Sequence, residues 1–385
     1  MKTDNSEQAD VAIIGAGPVG MALAKALAEG PFRVLLVDSR RRRAWESDPR
    51  ALALSHGSRQ ILEQVGVWNS DAGTAIHSIH VSQRGGFGRT VIEASDYDLP
   101  ALGYVMRYRD LAAGLYAGVE SIDLIDDCRR IELTIGSRAV EIRLSRGEET
   151  RLVAARLVVH AEGSPASEAG VRVFDYRQHA VVAEVRPVPG HANRAWERFT
   201  PDGPLALLPL GDDYSVVFSL PPDQAKRLQD LAEDGFLAAL RAQFGGRLDF
   251  VTSSARASFP LALRIRRQLT APRQVWVGNA AQSLHPVSGQ GFNLGLRDAW
   301  ELAEALCRGA GDDAGAAPTL AAYARRRDLD RRGGMAFTDG IVRLFSNDLA
   351  ALRLARGFGL QALDIFPPLR HFIARRMIWG ARAWL

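Results

Sequence analysis

Cysteine is nearly absent: Cys128 and Cys307 are the only two in 385 residues, far apart and in unrelated contexts. That argues against a disulfide framework or a cysteine-built metal site and points to a reducing compartment. Long apolar runs are missing too, since nothing approaches the ~18 uninterrupted apolar residues that a membrane-spanning helix needs. Acidic and basic side chains nearly balance, for a formal charge of +4. The arginines are spread along the chain without aromatic interleaving or a binding motif, so no nucleic-acid partner is expected. The first residues lack the signature of a signal peptide, because Asp4, Glu7 and Asp10 crowd the region that should be basic. No histidine stands at metal-ligand spacing or beside a triad partner. His56, His77, His80, His160, His179, His191 and His371 default to core or surface positions, and no metal is expected. What remains is a chain with 47% hydrophobic and 24% charged residues. It can bury a large core, as two domains or as one domain with an insert.

Residues 10–14, DVAII, read as a short buried strand. GAGPVG follows, with Gly15, Gly17 and Gly20 at GxGxxG spacing, and 21–27 continues as an apolar helix. A second buried strand is expected over 33–37, closed by Asp38. Gly15 allows the turn, Gly17 lets a pyrophosphate approach the backbone, and Gly20 lets helix and strand pack closely. Free amides at the helix start face the anion, and Asp38 would accept hydrogen bonds from a ribose diol. The pattern indicates a bound dinucleotide and leaves NAD and FAD both open. The run of arginines over 40–43 suggests either a 2′-phosphate site or a solvated loop; the second is the simpler reading.

A second glycine-rich opening of a helix lies in VGNAAQSLHPVSGQGFNLGLRDA, 277–299. An NAD-dependent dehydrogenase has no use for it. FAD is long enough to reach both, with amides near Gly289, Gly291 and Phe292 at a helix N-terminus able to stabilise charge on the reduced flavin. His285, a residue that could serve as a base, has no evident carboxylate to orient it and is read as shaping the loop before Pro286.

The block 277–306 resembles the second FAD motif of the flavoprotein aromatic hydroxylases, and more narrowly of their ubiquinone-biosynthesis branch. ERFTPDGPLALLPLGDDYSVVF and YARRRDLDRRGGMAFTDGIVRLFSN resemble the 2-polyprenyl-6-methoxyphenol hydroxylase (UbiH) type of that branch. The resemblance implies an α/β, Rossmann-like FAD-binding fold with an inserted β-sheet substrate domain and a C-terminal helical tail. It assigns Gly15, Gly17, Gly20 and Asp38 to the adenosine and pyrophosphate site. Arg50 and Arg109 go to the phosphate and isoalloxazine side, Glu162 and Gly163 of HAEG to the FAD contact, and Gly278 and Asn279 to the ribityl chain. Pro286, Gly289, Gln290, Gly291, Phe292 and Asn293, with His285, fall to the loop over the ring. Glu162 and Asn279 stand where the wider family has Asp, which implies weaker retention of FAD without its loss.

On the same resemblance, 1–75, 106–175 and 271–310 form the FAD-binding part, 76–105 and 176–270 a substrate-binding sheet, and 311–385 a helical tail. A helix is expected near 222–243, and a hairpin turning at 211–213. The implied reaction uses NADPH or NADH and O2 to hydroxylate a prenylated methoxyphenol through a flavin C4a-hydroperoxide, in ubiquinone biosynthesis. The alternatives are another ring hydroxylase of that pathway, a flavin oxidoreductase of the same fold that inserts no oxygen, and a binding protein that keeps FAD for structure. No nucleophile or acid-base pair stands out as indispensable. The tail over 353–382 carries Arg353, Arg356, Arg370, Arg375, Arg376 and Arg382 among apolar residues. It reads as a basic amphipathic helix for an anionic membrane or a partner, or as a packed helical cap. The expected location is cytoplasmic, and the periphery of the inner membrane if the tail takes the membrane role.

Overall fold

The computed structural model describes residues 7–164, 168, 170–309, 313–345 and 350–380. The first strand, Glu7–Ile14, lies between Val34–Val37 and Glu149–His160, parallel to both. Gln274–Trp276 and Asp123–Ile125 extend this parallel core on either side, and Arg130–Ile135 with Val140–Arg146 adds an antiparallel extension. Its central strands are near-continuous apolar runs because both faces are covered. One face packs on the helix Pro18–Ala28 and the long helix Gln290–Arg308 through Val11, Ile13, Leu23, Leu27, Leu296 and Leu302. Pro18 starts the first helix, three residues before the expected start; proline is favoured there because its missing N–H needs no partner.

A second sheet of nine strands stands over the carboxyl ends of the first. Val171–Val188 runs through its centre and pairs antiparallel with Asp213–Leu220 and Ala257–Arg266. The expected hairpin is Pro204–Leu210 and Asp213–Leu220. Ser78–Gln83 joins the same sheet by pairing parallel with Arg194–Phe199. The outer face of this sheet buries Leu205, Leu207, Val216 and Phe218 under two helices, Pro222–Asp230 and Glu233–Phe244. One continuous helix over 222–243 is therefore a wrong expectation. Leu231 and Ala232 are both extended, which re-phases the chain so that Leu228 and Phe236 both meet the sheet. A small sheet, Ala51–Ser55, Gly103–Arg107 and Thr74–Ile76, links the two layers.

Among the described residues the tail forms three helices, Ala317–Phe345, Ala350–Ile365 and Pro367–Trp379. A single basic amphipathic helix over 353–382 does not form, since Pro367 ends one helix and starts another. Nor do its arginines share a face. Arg356 is buried and donates to the Leu344 carbonyl, Arg370 turns inward to Asp96, and Arg375 is exposed. The side chain of Arg353 and all of Arg382 lie outside the described residues. The exposed face is instead apolar, with Leu354, Phe358, Ile365, Phe366, Leu369 and Phe372 all open to solvent. No helix among the described residues is long and apolar enough to cross a membrane.

Candidate functional site

Four parallel strands end on the same side and deliver four separate pieces of sequence to one place. After Ile14 comes Gly15, after Val37 Asp38, after His160 Ala161 and Glu162, and one residue past Trp276 and Val277 Gly278. This is where open α/β sheets bind ligands. A cleft of about 1010 Å³ opens there and runs under the second sheet, at the upper end of the ~300–1,000 Å³ usual for ligand sites. Its floor includes Gly15, Gly17, Asp38, Glu162, Gly163 and Asn279, and its roof Val182, Leu208, Ser215, Val217, Phe259 and Leu261.

Gly15 has φ +111°, and a Cβ there would collide with the Ala161 backbone. Only glycine lets the two strand ends approach this closely. Gly20 lies beneath the cleft, where a Cβ would strike the Gly15 carbonyl oxygen. Asp38 is buried, and its carboxylate already has partners. One oxygen accepts from the Ala16 amide at 2.7 Å, the other from the Arg40 amide at 2.8 Å, and the Arg40 guanidinium spans both at 3.1 Å. The bond to Asp38 holds Arg40 above the usual guanidinium range against the cost of burial. The arginine run over 40–43 is thus divided: Arg40 turns into the cleft, while Arg41 and Arg42 pair with Asp127 and Asp126 on the surface. Arg50 also lines the cleft, held by Asp48 at 2.6 Å and lying 4.8 Å from the Tyr108 ring centre. Arg109 does not reach it. It is half exposed beside Asp110, and its neighbour Tyr108 takes the cleft position.

The HAEG segment brings an unexpected member. His160 stacks on Trp276 at 4.7 Å and 6° and bonds Glu162 at 3.2 Å and Gln274 at 3.0 Å, so a histidine assigned by default to core or surface lines the cleft. Cys128 lines it as well.

Pro286, Gly289, Gly291 and Phe292 border the cleft at the second glycine loop, and the residues around them hold that loop in place. His285 is fully buried. Its Nδ1 accepts from the Val287 amide at 3.1 Å and its Nε2 faces Gln178 Oε1 at 3.3 Å. Burial pushes its pKa down to about 4, so it is neutral at physiological pH and fully engaged in the loop. Asn293 donates to the Ala53 and Gly289 carbonyls and accepts from the Ser55 amide and Ser58 hydroxyl, at 2.7–2.9 Å. Gln290 turns away from the cleft to the Met377 carbonyl. Gly278, at φ +59°, packs on Val19 of the first helix and donates its amide to Asp298 at 3.0 Å.

Asp298 is the centre of a network that sequence reading missed. It also accepts from Gln282 at 2.7 Å and from Arg327 at 2.7 Å, and Arg327 reaches Glu301 and Asp330 as well. Arg327 has no exposed surface. Burial alone would lower its pKa, and the three carboxylates raise it instead. A signal was present: Asp298 falls between Leu294 and Leu302 at steps of four, on the apolar stripe of its helix. A charge on a buried stripe requires a buried partner.

A glycine-lined half with backbone amides and a carboxylate, continuous with an apolar half, fits a dinucleotide whose ring end lies beside an organic substrate. Residues 8–333 match the family model described as FAD binding domain. The chain is 33% identical to the ubiquinone hydroxylase UbiL of Rhodospirillum rubrum, over 95% of this chain and 89% of that one. It is 31% identical to the 3-demethoxyubiquinol 3-hydroxylase of Escherichia coli, over 93% and 95%. Among the solved structures that share the fold are two Pseudomonas proteins. One is the p-nitrophenol 4-monooxygenase PnpA of Pseudomonas putida, with TM-score 0.79, 16% identity and coverage of 98% of this chain and 100% of that one. The other is PqsL of Pseudomonas aeruginosa, with TM-score 0.77, 22% identity and coverage of 92% and 100%. The chain belongs to the FAD binding domain family, and it is an FAD-dependent oxidoreductase.

Proposed function

We propose that the protein hydroxylates the aromatic ring of a prenylated methoxyphenol in ubiquinone biosynthesis, with O2 as co-substrate and NADPH or NADH as reductant. The observation that carries this reading is the continuity of the cleft: its glycine-lined half passes directly into an apolar half roofed by Val182, Leu208, Val217, Phe259 and Leu261. The names of the near full-length relatives supply the substrate class. In this reading Gly15, Gly17 and Asp38 hold the adenosine and pyrophosphate end of FAD. Arg50 and Asn279 hold its middle, and Pro286, Gly289, Gly291 and Phe292 hold the ring end. When bound, FAD supplies the electron transfer and oxygen activation. The protein binds and orients the ring and the phenol, keeps water out with its apolar roof, and places loop amides where negative charge develops.

The test is oxygen labelling. Labelled O2 should appear in the hydroxylated product; label entering from water, or NAD(P)H oxidation with no labelled product, overturns the reading in favour of an oxidoreductase that inserts no oxygen. The position of hydroxylation is read from the same product.

The contact with the bilayer that would hold such a substrate belongs to this proposal. It is supported by the exposed cluster Phe358, Ile365, Phe366 and Phe372, since apolar patches of this kind mark interaction surfaces. Replacing Phe358, Phe366 and Phe372 with serine should abolish sedimentation with phospholipid vesicles and leave FAD content unchanged. Equal sedimentation of variant and parent removes the membrane from the proposal.

A further inference from the structure

Glu197 lies on the strand Arg194–Phe199, whose side chains alternate between the two faces of the second sheet. Trp196 faces the outer core, where its ring meets Phe244 at 6.1 Å and its Nε1 donates to Tyr214 at 3.0 Å. Arg198 follows the same side, toward Ser82 and the Gln243 carbonyl. Glu197 therefore points to the other face, the one turned to the cleft. Register confirms its place. Glu197 stands opposite Ala206, Ala206 opposite Val217, and Leu208 opposite Ser215; Leu208, Ser215 and Val217 line the cleft. Leu208 is the diagonal neighbour of Glu197, a separation of about 7–8 Å that a ring-sized molecule spans.

Among the described residues nothing answers one oxygen of this carboxyl. Its Oε1 is buried without a hydrogen-bond partner among the described residues. The residues beside it on the flanking strands, Ala206 and Val81, are apolar, and burial is the single influence on its titration, pushing it up to about 8. Its Oε1 is enclosed, while the residue as a whole is only partly buried. A buried polar group without a partner is costly. The bond it lacks is one that a ligand can make.

We propose that Glu197 recognises the phenolic hydroxyl of the substrate, an assignment that rests on the phenol reading above. A phenol entering an apolar cleft loses water from its one O–H and needs a partner. A site with a polar group waiting for a hydroxyl rejects analogues that lack it far more strongly than an apolar wall does. Glu197 faces a group that ionises near pH 10, and a base shifted upward from the ordinary carboxylate range is better matched to it. In its ionised form Glu197 takes the proton from the phenol oxygen; no other bond changes, and the ring becomes richer in electrons before oxygen is transferred to it.

The experiment uses the full-length, FAD-loaded enzyme with E197Q and E197L. A prenylated 2-methoxyphenol and its O-methyl ether are titrated against the flavin absorbance. The parent should prefer the phenol at least ~10-fold, and E197L should lose that preference with FAD content unchanged. The infrared carbonyl band of a protonated buried carboxyl should be present at pH 7, shift when the phenol is added, and be missing in E197Q. Hydroxylation by the parent should rise with pH through about 8, and E197Q should be flat there and roughly 100-fold slower. Should E197L fail to fold, the band and the pH profile of E197Q carry the decision. An unchanged phenol preference in E197L, or an unchanged pH profile in E197Q, overturns the assignment while leaving the phenol reading intact. A parent that responds to neither compound and hydroxylates no phenol overturns that reading itself, and this assignment with it.

Discussion

At Gly15–Gly17–Gly20 the chain makes its phosphate turn almost entirely from neighbours in sequence. The strand before it, the helix after it and the next strand's Asp38 lie within a few dozen residues, and what the turn demands is room: the Gly15 and Gly20 positions leave no space for a Cβ. At 278–293 the second glycine loop is held from a distance. Asn293 ties it to Ala53, Ser55 and Ser58, some 240 residues earlier, His285 to Gln178, and Asp298 to Arg327 in the tail. Two stretches that read alike, glycines opening a helix, are thus fixed by steric closeness in one case and by buried polar bonds in the other. The first needs only close backbone approach, within its own turn at Gly20 and to Ala161 at Gly15; the second needs specific polar partners.

The largest effect that would sharpen this contrast comes from Arg327→Met. Removing the guanidinium leaves Asp298, Glu301 and Asp330 as buried carboxylates short of a partner, which should cost about 3–5 kcal/mol in urea unfolding and loosen the second loop. A loss below about 1 kcal/mol would mean that the network does not hold the loop. Next is the pH dependence of His285. Its pKa is about 4 in the fold and 6.5 otherwise, so its contribution is complete above pH 6.5 and is lost as pH falls toward 4, about 3 kcal/mol in all. His285→Gln should remove that part of the acid slope in an unfolding series; identical slopes in variant and parent would refute it.

At the first turn the expected change is smaller and falls on the cofactor. Asp38→Ala should weaken FAD by about 1.5–3 kcal/mol, seen as flavin released on dilution. Full retention would remove Asp38 from the adenosine site and leave it as a clamp on Ala16 and Arg40. The smallest effect is expected at Glu162→Asp, which restores the acid more common in the family. Glu162 is half exposed and bonded to His160, so retention of FAD should change by less than about 1 kcal/mol; a larger gain would make the extra methylene the limiting feature of the FAD site.

The sequence by itself determined the parts whose information is local. The apolar strands and the glycines of the first turn are dictated by sterics and periodicity within a short stretch, and the hairpin around 211–213 by its polar turn between two apolar runs. Asp38 was placed at its strand end for the same reason. Other features were decided by tertiary structure, because they are relations between distant residues. Arg109 and Tyr108 are adjacent in sequence, and only the packing of their helix decides which one lines the cleft. His160 has no special neighbours until the strand ends at Trp276 comes alongside and supplies a ring to stack on. The arginines of the tail look like one basic face until Pro367 breaks the helix and Arg356 and Arg370 turn inward. Glu197 is one more strand residue until register puts it on the face that continues the cleft. Local sterics act over a turn or a strand; burial and pairing act over the whole chain and exist only once it has folded.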